Sequence, residues 1–185
     1  GGDRWVDPDP KQFSWPTTIA ADPAGDYVYV VSTNFDSGFT GGFVTPIDVG
    51  AVETIIAKGA ADVVPGRPVP VDLADSSLGA AGAVQIGSFG GDIAILGDGG
   101  VGVRGFVAVR DGDEVQHFSI DRSGGAPALS CSAKAGFAQA CDASHGVILQ
   151  KKGAADDEDE TFDGRDPFAL ALGAGPWGHS VVYAG

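Results

Sequence analysis

The sequence predicts an all-β protein, and three observations lead to that prediction. Thirty glycines and eleven prolines among 185 residues interrupt any long helix. No stretch carries a convincing apolar period of 3.6 residues. Valine-rich and aromatic runs of strand length alternate instead with glycine, aspartate and asparagine clusters, as short strands joined by turns require. Because 43% of the residues are hydrophobic, the chain can build an ordered core.

Two runs are the clearest strands. Residues 27–31 (YVYVV) are β-branched and aromatic, and residues 43–49 form a second strand-like run after the loop at 34–42. Residues 106–109 (FVAV) form another. Their nearly continuous apolar character demands neighbours on both faces. We therefore expect 27–31 and 106–109 to be inner, buried strands of antiparallel sheets.

Turns and connections follow from glycine, aspartate and proline. Three pairs lie between apolar runs and predict turns: Gly90-Gly91, Gly99-Gly100 and Asp111-Gly112. Residues 57–71 carry three prolines, which lack the donor N–H of a central strand, so this stretch is expected to be an extended surface connection. Short helices are expected at 72–81 and at 134–140.

The first strand pair also carries a family resemblance. The order Asp22-Pro23, two residues, Asp26, YVYVV, a polar loop, a strand and Ile47-Asp48 resembles a YVTN-type β-propeller repeat. A second copy covers 105–122 and closes on Ile120-Asp121, and a third start lies at 179–185. The Asn34-Phe35 pair after the first strand is similar to propeller-type surface lipoproteins of bacteria.

The resemblance implies four-stranded antiparallel blades of a β-propeller. Blades stack radially because one blade cannot bury both of its faces alone, and each takes roughly 40 to 50 residues. We therefore expect residues 1–185 to form one incomplete propeller-like domain, with 51–82 and 150–166 as loop insertions. In such a fragment, residues 180–184 should pair with a strand outside this sequence or with the N-terminal segment 5–15.

The charge balance bears on partners and on metal binding. A net charge of −14 argues against nucleic acid, since phosphate neutralisation needs clustered Lys and Arg. The acidic run at 155–163 is typical of a solvated loop. An EF-hand is excluded because its twelfth position would be Leu170 and not Glu. A looser calcium site of Asp157, Asp159 and Asp163 is the alternative, and no other cofactor is expected.

Compartment is inferred from the cysteines and from hydropathy. Cys131 and Cys141 lie in a Gly/Ala/Ser-rich stretch and are expected to form a disulfide, with reduced buried thiols as the alternative. No apolar run reaches the length of a membrane span. An exported protein is therefore expected, whether periplasmic, outer-membrane-associated or extracellular. A lipid anchor upstream of Gly1 is compatible with the resemblance.

Catalytic motifs do not stand out. Gly100, Gly102 and Gly105 match G-x-G-x-x-G, but a strand-like run follows where a dinucleotide site needs a helix. Ser88 lacks the glycine two positions earlier that a nucleophile elbow uses. Cys131, Cys141 and His145 lack a fourth zinc ligand. The three histidines are isolated in the sequence.

Binding through a loop is the functional expectation. Phe35, Asp36 and Phe39 follow the first strand, and binding residues concentrate on loops held by a rigid scaffold. We therefore expect a non-catalytic exported propeller, acting as a scaffold or protein-binding accessory subunit of an envelope or extracellular assembly. The alternative is a propeller enzyme of the lactonase or dehydrogenase kind, with a site at the channel mouth.

Overall fold

The computed structural model of the chain describes residues 9, 11–36, 38–59, 70–97, 102–134, 137–148, 167–175 and 180–184. Regular structure in this part of the chain is mostly antiparallel β-sheet, which confirms the all-β prediction. The strands are β1 (Pro16–Ala21), β2 (Tyr27–Ser32), β3 (Gly42–Asp48), β4 (Val84–Ile86), β5 (Gly90–Gly97), β6 (Val103–Val109), β7 (Glu114–Asp121), β8 (Ala128–Ser130), β9 (Ser132–Lys134), β10 (Phe137–Ala140), β11 (Gly146–Ile148), β12 (Leu170–Ala174) and β13 (Ser180–Ala184). Helix α1 spans Val49–Gly59, and 3-10 turns form at Ser76–Leu78, Ala80–Gly82 and Ala143–His145.

The first sheet begins as a meander. Strands β1, β2, β3 and β4 pair in chain order, each antiparallel to the one before, with Tyr27 opposite Asp48 and Phe43 opposite Gln85. The β9–β10 hairpin extends this sheet because β10 pairs with β4, and that pairing is parallel. The complete order is β1-β2-β3-β4-β10-β9. A late segment of the chain therefore completes an early sheet.

The second sheet repeats the meander with β5, β6, β7 and β8, again antiparallel and in chain order. The loop between β6 and β7 lies at the predicted turn Asp111-Gly112. Strand β7 has two partners on its outer side: its first half pairs with β11 and its last residues pair with β8. Within the described residues, the sheets do not close into a ring.

The core lies between these two sheets. One face of each contributes buried apolar side chains: Tyr29, Val31, Val44, Val84 and Ile86 from the first, and Ile93, Ile95, Val107, Val109, Phe118, Ile120 and Leu129 from the second. The predicted strands 27–31 and 106–109 are β2 and the second half of β6. Fully burying a side chain of this size contributes about 1.5–3 kcal/mol, so the shared face dominates the stability.

The two sheets are also joined by a buried polar group. Asp22, 3% exposed, follows β1 and accepts a hydrogen bond from the Tyr29 hydroxyl (2.6 Å) and one from the Ala24 N–H (2.7 Å). The Arg122 guanidinium, just after β7, forms an ion pair with the same carboxylate. Burial raises the pKa of Tyr29 to about 12, so the phenol remains a donor at physiological pH. A carboxylate this deeply buried is stable only because its oxygens are paired.

A third sheet corrects the expectation for the C-terminal strand. Ser180–Ala184 was expected to pair outside the sequence or with segment 5–15, but β13 pairs with β12 in an antiparallel ribbon, with Leu170 opposite Ala184. Strand β12 lies against β5 and β6 of the second sheet. The partner strand has the sequence LALGA, and its small residues give little strand signal.

Two helix predictions also need correction. Residues 134–140 were expected to be helical, but Phe137–Ala140 is strand β10, because pairing with β4 overrides the helix propensity of its alanines. At 72–81 the structure has 3-10 turns, the first capped by Asp75 through the Ser77 N–H (2.9 Å). The expected insertion 51–82 includes most of α1. The other expected insertion, 150–166, lies outside the described residues.

Glycines allow close approach at two places. Gly90 and Gly91 were expected to form a turn but begin β5; a Cβ on Gly91 would lie 3.2 Å from the Phe168 carbonyl oxygen. Gly105 in β6 lies directly opposite Phe118, whose ring covers the glycine. The buried Phe118 ring therefore occupies the volume that a side chain at position 105 would need.

We predict that Gly105→Ala destabilises the protein by about 1–3 kcal/mol, because the added methyl group meets the Phe118 ring inside the core. Urea unfolding of both proteins measures the difference. Gly97→Ala is the matched control in the neighbouring strand, since a Cβ there meets only ordinary contacts with Pro23, 3.5 Å away. Equal stability of Gly105→Ala and the wild type would contradict the described packing.

The disulfide confirms the predicted pairing of Cys131 with Cys141, whose Cα atoms are 4.9 Å apart. Cys131 lies between β8 and β9, and Cys141 directly follows β10 and donates its N–H to the Gln85 carbonyl (2.9 Å). The bridge thus closes the loop in which the chain leaves the second sheet and pairs with the first.

Replacing both cysteines by serine should lower the free energy of unfolding by about 2–3 kcal/mol, because the short closed loop gains freedom in the unfolded state. Denaturant unfolding measures the loss, and reduction of the wild type should reproduce it. The intact protein should gain the mass of about two hydrogens on reduction. Thiols that alkylate without a reductant would contradict the bridge.

Candidate functional site

The first strands of the three sheets begin next to one another. Strand β1 contacts β5, and β5 contacts β12. Asp92, near the start of β5, joins all three: its Oδ1 accepts from the Thr18 hydroxyl (3.3 Å) and the Ile93 N–H (2.9 Å), and its Oδ2 accepts from the Leu170 N–H (3.0 Å). The Thr17 hydroxyl adds a bond to the Gly90 carbonyl (3.1 Å). This carboxylate fixes the place where loops from three sheets meet.

A buried asparagine shapes the loop after β2. Asn34 is 2% exposed; its amide group donates to the Phe39 carbonyl (2.6 Å) and to the Ser88 hydroxyl (3.0 Å), while its Oδ1 accepts from the Phe39 N–H (2.9 Å). These bonds close the loop and tie it to the β4–β5 connection. The Asn34 side chain is therefore structural, and its neighbour Phe35 is held outside the core.

The three loop residues predicted to face a partner differ in exposure. Phe35 is 64% exposed. Asp36 is exposed, and its Oδ1 accepts from the Gly38 N–H (3.1 Å). Phe39 is partly buried, and its backbone is held by Asn34. Phe35 and Asp36 are thus open to a partner, while Phe39 anchors the loop.

Phe35 is the middle ring of an aromatic row formed by Trp15, Phe35 and Phe89. The ring centroids are 6.1 Å apart at each step, and the planes are inclined by 47° and 84°. Trp15 (φ 53°) and Phe89 (φ 56°) both have left-handed backbone, which is an outlier for bulky residues. The Thr33 N–H donates to the Trp15 carbonyl (3.1 Å) and the Arg110 N–H to the Phe89 carbonyl (3.4 Å).

Such backbone conformations cost of order 1–3 kcal/mol each and persist only where the surroundings over-determine them. Strained residues of this kind concentrate at binding and catalytic sites. The two strained aromatic residues lie on either side of Phe35 in the same row. The rings of the row are therefore positioned by the backbone before any partner arrives.

A pocket of about 400 Å³, the junction pocket, opens beside the aromatic row, and its lining includes Thr17, Thr33, Phe35, Phe89, Arg110 and Phe168. The Arg110 guanidinium lies 5.9 Å from the centroid of Phe168, a ring that is 69% exposed. Thr33 is 2% exposed, and its hydroxyl has no hydrogen-bond partner among the described residues. The size, and a lining that combines three aromatic rings with a few polar groups, are typical of a binding pocket.

Sequence reasoning found only part of this site. It named Phe35 and Asp36 but missed Phe89, Arg110 and Phe168, which follow β4, β6 and an undescribed segment. Trp15 was not among the residues predicted to face a partner, and it is 56% exposed beside Phe35. One local signal pointed to Phe89, which directly precedes the Gly90-Gly91 pair. Glycines permit the close approach of another strand, so residues from elsewhere in the chain could be expected beside Phe89.

A Ser-His-Asp triplet forms elsewhere but lacks the geometry of a relay. The Ser144 hydroxyl (3.0 Å) and the Asp142 carboxylate (3.2 Å) both contact Nδ1 of His145. A triad needs the serine and the carboxylate on different ring nitrogens. His117 lies nearby, its centroid 5.3 Å from that of His145, and burial, then His145 and Arg104, lower the pKa of His117. The triplet is an Asx-type turn.

The residues that the sequence offered as candidates for binding metal or a dinucleotide form no such site in the described part of the chain. Asp157, Asp159 and Asp163 lie outside the described residues. No group of three potential metal ligands forms among the residues that are described. Cys131 and Cys141 are bonded to each other and not available as zinc ligands. Gly105 lies in strand β6 and not at a helix start. No described helix is long and apolar enough to span a membrane.

Asn34→Ala should lower the free energy of unfolding by about 1–3 kcal/mol, because the partly buried N–H and carbonyl of Phe39 lose their hydrogen-bond partner. It should also remove the hydrogen-exchange protection of the Phe39 amide. Asp36→Ala is the control, since it removes one exposed turn contact and should change stability by less than about 0.5 kcal/mol. Unchanged protection at Phe39 in Asn34→Ala would contradict the described loop.

Comparison of the chain with protein-family models, with curated proteins and with solved structures finds no match. What the protein does is therefore inferred from the chemistry of its own residues.

Proposed function

We propose that this chain is a non-catalytic, exported binding protein, built as part of a β-propeller, and that it holds a partner protein at the aromatic surface around the junction pocket. Its place would be a scaffold or accessory subunit of a cell-envelope or extracellular assembly. A lipid anchor upstream of Gly1 would be compatible with such a place.

The layering of the sheets supports the propeller. Two successive four-stranded antiparallel meanders pack face to face, and the β12–β13 ribbon lies against the second of them. In a propeller each blade is such a meander, and blades stack around a channel. The first strands of the three layers lie side by side, with their starts joined at Asp92. The parallel β4–β10 pairing is a departure from a regular blade.

Equivalent aspartates support the repeat. Asp48 and Asp121 are each the last residue of the third strand of a meander. Asp48 accepts a hydrogen bond from the Ala51 N–H (2.7 Å), and Asp121 accepts one from the Ser123 N–H (2.8 Å). Both carboxylates therefore turn the chain at the same point of each unit, the point where the repeat resemblance ends on Ile-Asp.

The disulfide supports export, since such bridges persist in oxidising compartments.

The outer face of the first sheet is where the next blade of a propeller would pack, because each blade has a neighbour on either side. Val28 and Val30 are half-buried there and line a groove of about 560 Å³ that Ile47 and Phe13 also border. In the proposed propeller, the next blade covers this groove.

One observation carries the binding function: two large rings of the junction pocket, and the tryptophan that packs against one of them, stand exposed together. Trp15, Phe35 and Phe168 are 56%, 64% and 69% exposed. Contiguous exposed apolar surface marks interaction sites, and aromatic residues are enriched in the centres of protein interfaces. The loops that carry these rings are fixed by Asp92 and Asn34, so little ordering entropy opposes binding.

Within the described residues, the acidic group of the junction pocket has a structural role. Three of the about four lone-pair sites of Asp92 already accept hydrogen bonds that join β1, β5 and β12. A general base must have a lone pair directed at its substrate. Elemental analysis and an absorbance spectrum of the purified protein test the alternative, because a stoichiometric metal or chromophore would support a propeller enzyme.

Photo-crosslinking tests the proposed function. A photoreactive phenylalanine analogue at position 35 or 168, in cells that make the protein natively, should give the same cross-linked partner protein from both positions. Val147 is the control position, since it is 58% exposed on β11 and does not border the junction pocket. Equal yield from position 147, or no protein product from 35 and 168, would contradict the proposal.

A further inference from the structure

We propose that the junction pocket and the aromatic row bind a proline-rich, extended segment of the partner protein. This inference rests on the proposed function, because it names the part of the partner that enters the site.

The rings form a preformed apolar platform. The row runs from Trp15 through Phe35 to Phe89 in steps of 6.1 Å, and Trp15 and Phe35 are 56% and 64% exposed. Aromatic-lined grooves of this kind bind polyproline II segments, whose rings pack against aromatic faces. A polyproline II helix is already extended and stiff, so it loses little entropy on binding. A stiff ligand and a preformed row of rings both lose little conformational entropy when they bind.

The polar groups of the pocket set the ligand's hydrogen-bonding capacity. The hydroxyls of Thr17 and Thr18 already donate to the Gly90 carbonyl and to Asp92. The buried Thr33 hydroxyl is different, since it has no partner in the described structure. A buried polar group without a partner costs about 1–3 kcal/mol and is expected to be satisfied by a ligand or water. The Thr33 hydroxyl is a single donor, and it can be satisfied by one carbonyl oxygen of a peptide.

The same inventory disfavours a saccharide. A pyranose ring presents several hydroxyls, and each one needs a partner when it is removed from water. A proline residue has a carbonyl acceptor and no N–H, so burial in an aromatic groove leaves no donor unsatisfied. The pocket offers wide ring surface and few uncommitted hydroxyls, which is the balance that a proline-rich segment requires.

Charge complementarity adds basic residues beside the prolines. The protein carries a net charge of −14; Arg110 is the basic residue of the pocket lining, and the exposed Asp36 and Asp111 directly follow Phe35 and Arg110 in the chain. Acidic surface raises the association rate of a basic ligand, with a strong dependence on salt. We therefore expect lysine or arginine next to the proline run in the partner.

Fluorescence anisotropy of the full chain with a labelled peptide tests the inference. The probe has about nine prolines, three turns of polyproline II, flanked by lysines. The control peptide keeps the lysines and replaces the prolines by alternating glycine and serine. The proline peptide should bind and the control should not. Phe35→Leu should weaken binding about tenfold, because it removes a stacking ring but keeps an apolar side chain. Phe13→Leu, away from the pocket, should change nothing.

Thr33→Val separates binding from folding. It removes the hydroxyl with almost no change in shape, so stability should stay equal or rise, while peptide affinity should fall several-fold. Thr45→Val is the matched control, because Thr45 is also fully buried, with no hydroxyl partner among the described residues, but does not line the pocket. It should leave peptide affinity unchanged.

The other outcomes overturn the inference. Equal binding of both peptides would mean that charge alone acts, and binding that ignores Phe35→Leu and Thr33→Val would place the peptide elsewhere. Binding of maltotriose without binding of the proline peptide would make the row a saccharide platform. If the proline peptide does not bind but position 35 still cross-links to a partner protein, the proposed function stands. Only the inference that the partner segment is proline-rich is then wrong.

Discussion

The fold depends on how its first strand is held. Strand β1 is largely exposed along its length, so burial alone does not fix it. At its start the Thr17 and Thr18 hydroxyls bond to the beginning of β5, where Asp92 also holds β12. Just past its end, Asp22 is paired with Tyr29 and Arg122. Two aspartates, one at each end of β1, therefore fix how the sheets are positioned relative to one another.

These ties act together with the core and do not replace it. Hydrogen bonds to a charged group contribute about 1.5–3 kcal/mol each, which is comparable to the burial of one large apolar side chain. The shared face between the sheets supplies many such side chains, but dispersion and hydrophobic burial are not directional. The carboxylates add direction: they fix which ends of the strands meet, and hence where the loops converge.

The sequence alone predicted those strands, turns and pairings that depend on residues close together in the chain. The runs at 27–31 and 106–109, the turn at Asp111-Gly112 and the Cys131–Cys141 bridge follow from residues close in the chain. It failed where partners are distant. The pairing of β10 with β4 converts an alanine-rich stretch into a strand. The aromatic row unites Trp15, Phe35 and Phe89, and no periodicity records that these residues meet.

The return of β10 to β4 has a consequence for the order of assembly during synthesis. The entire second meander lies between these two strands in the chain. As the polypeptide leaves the ribosome, β4 is therefore an uncovered sheet edge until β10 has been translated, and such edges are where nascent chains aggregate. The second meander is therefore complete in sequence before the edge of β4 receives its last partner.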